Sequence, residues 1–175
     1  MDPEEVLDRY VKDEAMREHL LVTGRIMEAL ARRLGEDVEL WRATGLLHDI
    51  DYEIVGRDMK RHGLEGARIL RELGFPEELC RAVERHNLEA APSPPETKLE
   101  RALVAADQLA GLLFALKRVV PSRSYSGIRP KTVKKKFKDK SFARAVRRDH
   151  IRWVEDLGIE LSEFFAIALE AVKDL

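Results

Sequence analysis

The chain is short of the features that define several protein classes. It has one cysteine, Cys80, in 175 residues, so no disulfide can form within it. That fits a reducing compartment, and a lone thiol in an apolar helical setting reads as inert packing. Long apolar runs are lacking, and none approaches the roughly 18 residues of a membrane span. The N-terminal stretch MDPEEVLDRY is acidic and has no apolar signal-peptide segment. These absences lead us to expect a soluble, cytoplasmic protein with no membrane partner. An excess of one charge is lacking too. The 31 basic and 32 acidic residues leave a net charge of −1. This argues against a basic nucleic-acid coat and against an acidic disordered tail.

What is present is enough for a folded core. Hydrophobic residues make up 45% of the chain, and the length suits one domain. Helical punctuation dominates. Asp2 and Pro3 read as N-cap and first helical residue. Asp13 caps a long helix ending at Gly35, on which His19, Val22, Ile26 and Leu30 recur at helical spacing. Asp37 opens a helix running through Leu46 and Leu47 to His48. Residues 51–61 have no clear period and read as a loop. Further helices run from about Gly63 to Gly74 and from Pro76 onward. After the proline-rich APSPPET (91–97) comes a long apolar helix carrying Leu99, Leu103, Asp107 and Leu113. The last helix begins near Ser162. With no repeat and no convincing strand pair, the fold class is all-α, a helical bundle around one core.

Five segments carry chemistry: His19 in REHLLVTGR, His48 and Asp49 in GLLHDID, His62 in RHGLEGA, His86 in ERHN, and Asp107 in AADQLAG. A single histidine on an amphipathic helix is more often packed or at the surface than a ligand. Asp107 is harder to dismiss. Its neighbours are apolar, and a buried carboxylate needs a partner or a metal. One aspartate has two oxygens and can bridge two ions. Four histidines and two aspartates therefore suffice for two divalent ions sharing a carboxylate.

The order of these residues resembles the HD-domain superfamily of metal-dependent phosphohydrolases, through His19, His48, Asp49 and Asp107. His62 and His86 resemble the six-ligand, two-metal branch. Within it, LLHDIDYE, HGLEGARIL, AADQLAG and KKKFKDKSFA are similar to a small group of predicted HD hydrolases. The order also resembles that of bacterial dinucleoside tetraphosphate hydrolases. The resemblance implies one HD domain over 1–175, with a core at 14–115 and a basic helical C-terminal extension at 119–175. It implies metal ligation by His19, His48, Asp49, His62, His86 and Asp107, with Asp49 bridging. It implies catalysis at Asp49 and His48 through a metal-activated hydroxide. One or two divalent transition ions (Fe, Mn, Zn, Co or Ni) suit such ligands. The substrate expected is a nucleotide or another small phosphorylated metabolite, cleaved as a monoester or diester. In place of the superfamily's frequent His-Asp-Ile-Gly, this chain has Asp51 after Ile50, a further carboxylate near the site. The Gly-Tyr-Pro signature of the cyclic-di-GMP branch is absent, which argues against that substrate. Asp51 and Tyr52 are expected to line the pocket. Gly63 and Gly66 let a helix start approach either its neighbour or a phosphate.

The neutral total hides a division. Residues 117–152 hold 14 Lys or Arg and two Asp, net +12, whereas the rest holds 17 basic and 30 acidic residues, net −13. Phosphate contacts are therefore sought in the basic segment, with Lys135 and Lys138 as candidates. Arg85, beside His86, is a third. His150 is expected at the surface. Two other readings stay open: a mixed-valent diiron oxygenase on the same ligands, and a nucleotide- or RNA-binding module. Nucleic acid is a possible partner but not the favoured one.

Overall fold

The computed structural model describes residues 1–175 and contains nine α-helices and no strand. They are α1 (Pro3–Tyr10), α2 (Glu14–Leu34), α3 (Val38–Leu47), α4 (Leu64–Glu72), α5 (Glu77–His86), α6 (Lys98–Lys117), α7 (Pro130–Lys138), α8 (Arg148–Ile151) and α9 (Leu161–Val172). The expected caps form. The carboxylates of Asp2, Asp13 and Asp37 accept the N–H groups of Glu4, Met16 and Leu40, satisfying donors that a helix start leaves free. Gly35 ends α2 in the left-handed region, at φ +72°.

Helix α6 is the centre of the larger core. Its Leu103, Ala106, Leu109 and Leu113 are fully buried in one cluster with Ile26 and Leu30 of α2 and Phe164 and Ala168 of α9. A smaller core joins α1, α3, α4 and α5 through Leu7, Leu47, Leu70 and Val83. Helices α2 and α3 cross at close range because Gly45 has no side chain. A Cβ there would lie 2.8 Å from the Thr23 carbonyl oxygen, closer than packed atoms tolerate. That crossing sets the C-terminal end of α3, and so His48 and Asp49, against His19.

Residues 48–63 form successive turns, in keeping with the loop expected there. The basic segment differs from expectation. It is helical only in pieces, because α7 ends at Lys138 and residues 139–147 are irregular. Arg148 holds those turns together. Its guanidinium donates to the carbonyls of Lys136, Phe137, Asp139, Phe142, Ala143 and Val146 at 2.5–3.2 Å. Ala143, at φ +47°, is in a conformation that residues with a Cβ disfavour. No helix is long and apolar enough to cross a membrane.

Candidate metal centre

Helix α2 supplies His19, the end of α3 supplies His48 and Asp49, the turn before α4 supplies His62, α5 ends on His86, and α6 supplies Asp107. All six side chains converge. His19 Nε2 lies 2.8 Å from Asp107 Oδ1, and His48 Nε2 lies 3.2 Å from the same oxygen. Asp49 is shared between two groups. Its Oδ2 is 3.4 Å from His19 Nε2 and 3.2 Å from His48 Nε2. Its Oδ1 is 3.0 Å from His62 Nε2 and 3.1 Å from His86 Nε2. Two groups able to hold an ion follow: His19, His48, Asp49 and Asp107, then Asp49, His62 and His86.

The far side of three of the four rings explains why their Nε2 atoms point inward. His48 Nδ1 is 2.7 Å from the Gly45 carbonyl, and His86 Nδ1 is 2.6 Å from the Val83 carbonyl. His62 Nδ1 is 2.7 Å from Asp51 Oδ1. These acceptors favour a proton on Nδ1 and a bare lone pair on Nε2, as in metal-bound histidines supported from behind. The residues therefore fit a cation well. His62 and His86 bring Nε2 atoms within 3.2 Å of each other. Two lone pairs at that distance repel, whereas an ion between them would be ligated.

The electrostatics agree. Burial pulls the His19 imidazole down, but Asp107 and Asp49 outweigh it and push it up to about 9. His62 is also pushed up to about 9, its burial outweighed by Asp49 and Asp51. His48 moves the same way. Burial raises Asp49 and Asp107, yet the histidines hold both below the usual carboxylate range. The two carboxylates stay ionised and favour positive charge beside them, as protons on the histidines or as a bound cation in their place.

Several other residues take unexpected places. Asp51 does not line the pocket. It is fully buried behind His62, and its Oδ2 accepts the N–H groups of Gly63 (2.7 Å) and Gly66 (2.8 Å). The start of α4 thus does approach an anion, but that anion is the chain's own carboxylate. Gly63 sits at φ +91°, open to glycine, and a Cβ there would lie 3.1 Å from the Val83 carbonyl oxygen that backs His86. Tyr52 packs edge-on to His62 with ring centroids 5.0 Å apart. Asn87 donates to the carbonyls of Met59 and His62, tying the turns to the end of α5.

A cleft of about 300 Å³ opens onto the centre past His62, His86 and Asp107. His150, expected at the surface, is instead half-buried on its wall beside Arg147, with its ring against Trp153. Gln108 links that wall to the centre. Its Oε1 accepts the Arg147 backbone N–H at 2.8 Å, and its Nε2 lies 3.5 Å from Asp107 Oδ2. Nothing local in the sequence marks His150 or Gln108 as cleft residues. Gln108 is carried by α6 beside Asp107, whereas the placement of His150 follows the turns that Arg148 organises.

None of the three candidate phosphate contacts lines the cleft. Arg85 directs Nη1 to the buried Glu100 carboxylate at 3.1 Å. Glu100 in turn accepts the Thr97 N–H and completes the capping box of α6. Lys138 lines a separate cavity between α7 and α9, whereas Lys135 is exposed on α7 and lines neither cavity.

Fold and site together define an all-α protein of the HD type, and comparison with known proteins agrees. The model of the HD domain family matches residues 16–112, so the chain belongs to that family, whose members are in general metal-dependent phosphohydrolases. It is 33% identical over 98 residues to a ribonuclease Y of Desulfotalea psychrophila, covering 54% of this chain and 18% of that one. A ribonuclease Y of Thermobifida fusca is 32% identical over 93 residues, covering 53% and 18%. An uncharacterized protein of Methanocaldococcus jannaschii, MJ0778, is 43% identical over 81 residues, covering 42% and 45%. The chain thus spans less than a fifth of the ribonucleases and less than half of the archaeal protein. No solved structure matches.

Proposed function

We propose that the protein is a metal-dependent phosphohydrolase acting on a nucleotide or another small phosphorylated metabolite. The observation that carries this is the division of Asp49 between two histidine pairs, one oxygen facing each. Such a carboxylate suits two neighbouring divalent ions. Bound there, transition-metal ions supply Lewis acidity towards phosphoryl oxygens and lower the pKa of water.

The chain's own residues hold and orient. Asp49 keeps both halves in register, and His48 is fixed through the Gly45 carbonyl. Asp51 aims His62, and Asp107 completes the more open half. His150, Arg147 and Gln108 offer polar contacts to the non-reacting part of a substrate. Arg147 shares its charge with Asp149 at 2.9 Å, an exposed pair that a phosphate can displace. Arg85 acts through Glu100 on the start of α6.

A second reading, cleavage of RNA phosphodiesters, is favoured by the likeness to proteins named ribonuclease Y. One experiment tests both. Purified protein is assayed for metal content, then with manganese, iron, cobalt and nickel against phosphomonoesters, phosphodiesters, nucleotides and short RNA. About two equivalents of metal and phosphate-ester cleavage are expected. No metal uptake, or no cleavage under any condition, overturns the proposal. A product that forms only with dioxygen and without ester cleavage selects the diiron oxygenase instead.

A further inference from the structure

We propose that the cavity between α7 and α9 is a binding site for a nucleotide unit, separate from the metal cleft and independent of the hydrolase reading. Its volume is about 450 Å³, and none of its lining residues lines the metal cleft. That size falls within the roughly 300–1,000 Å³ of small-molecule sites.

The chemistry of its walls defines the ligand. The inner wall is apolar, made of Leu161 and the tilted ring pair Phe137 and Phe165, whose centroids are 5.5 Å apart. The rim is cationic. Lys131, Lys134 and Lys138 recur at i, i+3 and i+7 on one face of α7. None of the three has a carboxylate within 4.0 Å, although Lys136 on the same helix does. Arg152 places its guanidinium 5.3 Å from the Phe137 ring centre while bonding Glu155. Ser162 adds a hydroxyl, and no acidic side chain lines the cavity.

Three unshared ammonium groups on one edge call for a ligand of more than one negative charge, which a phosphate supplies and a single carboxylate does not. A wall of aromatic rings beside a guanidinium plane favours a flat π-face. An aliphatic anion would fill the wall but leave cations in surplus. An acidic peptide would neutralise the cations but bring little flat surface. A nucleoside phosphate meets both demands, whether free or as one unit of an RNA strand.

The test is fluorescence anisotropy on the full chain with a labelled hexa-adenylate, competed by AMP, adenosine or inorganic phosphate. The hexamer is expected to bind, about twentyfold more weakly when salt rises from about 50 to about 200 mM if three phosphates are contacted. AMP competing as well as the hexamer identifies the free nucleotide as the source. The hexamer binding far more tightly identifies the strand. Adenosine and phosphate are each expected to compete at least about tenfold more weakly than AMP, since each lacks one half of the ligand. Lys134→Glu with Lys138→Glu should weaken binding by about tenfold or more, with helical content and metal content unchanged. Asp49→Asn should leave the affinity within about twofold, which separates this site from the metal cleft. The proposal fails if neither probe binds, if the double variant binds unchanged, if Asp49→Asn abolishes binding, or if decanoate or poly-glutamate displaces the hexamer better than AMP.

Discussion

The metal cleft and the α7–α9 cavity treat charge in opposite ways. At and behind the cleft, four histidines and three aspartates are drawn together out of bulk water, and nearly every heteroatom faces a partner within 3.5 Å. Around the cavity, lysines stand at the solvent edge of an apolar wall with no counter-charge. The first arrangement is rigid and committed, because burying such groups is tolerable only when each is matched. The second is soft, and its lysines keep their hydration until an anion arrives. Charge balance in this molecule is settled site by site. A net charge of −1 is the sum of an interior that attracts cations and an exterior edge that attracts anions.

Substitutions can sharpen that contrast. The largest effect is expected for Asp49→Ala, which removes the one side chain facing both histidine pairs. Hydrolysis should fall to background and metal content to below one equivalent, while circular dichroism retains the helical signal. Full activity in this variant would falsify the role of Asp49. Next is Asp51→Asn, which keeps the shape but weakens the acceptor behind His62. Metal affinity, read by chelator competition, should drop about 10- to 100-fold. An unchanged affinity would mean that His62 is aimed by packing alone.

A smaller effect is expected for Arg148→Met, which leaves six carbonyls without their shared donor. Loss of charge-assisted bonds of this kind costs about 2 kcal/mol and lowers Tm by about 5 °C. Arg148→Lys should not restore it, because an ammonium lacks the planar fork. Full recovery with lysine would show that charge alone matters there.

The mildest effect is a pH slope. Without ions, His19 and His62 hold protons up to about 9, whereas the ordinary value is 6.5. A group raised on folding stabilises fully below its unfolded pKa, and that contribution fades as pH rises through the folded one. The metal-free protein should therefore lose Tm between about pH 6.5 and 9. The metal-loaded protein, whose ligands must be neutral imidazoles, should not follow that fall. Calorimetry with and without chelator reads the difference, and parallel slopes would show that ions do not displace protons from His19 and His62.

The six converging residues were legible because each sits in a distinctive local context and because their order along the chain is informative. The caps at Asp2, Asp13 and Asp37 were legible for a simpler reason, since a cap acts within three residues of itself. Asp51 was not. Its partners lie 11 to 15 residues ahead, and only the docking of α4 brings them to it. His150 and Lys138 fall 12 residues apart in one basic run, yet they face different cavities. No period in the sequence divides them, because the division is made by irregular turns.

Those turns have a consequence for how the protein can change. Arg148 grips backbone carbonyls, and every amino acid supplies one. The side chains of Lys140, Ser141, Arg144 and Ala145 take no part in the grip, so mutation can replace them without unfastening the loop. One invariant demand at Arg148 thus leaves freedom at its neighbours, including Ala145 on the cleft wall. The lining of the cleft can therefore change at Ala145 while the six converging side chains stay where they are.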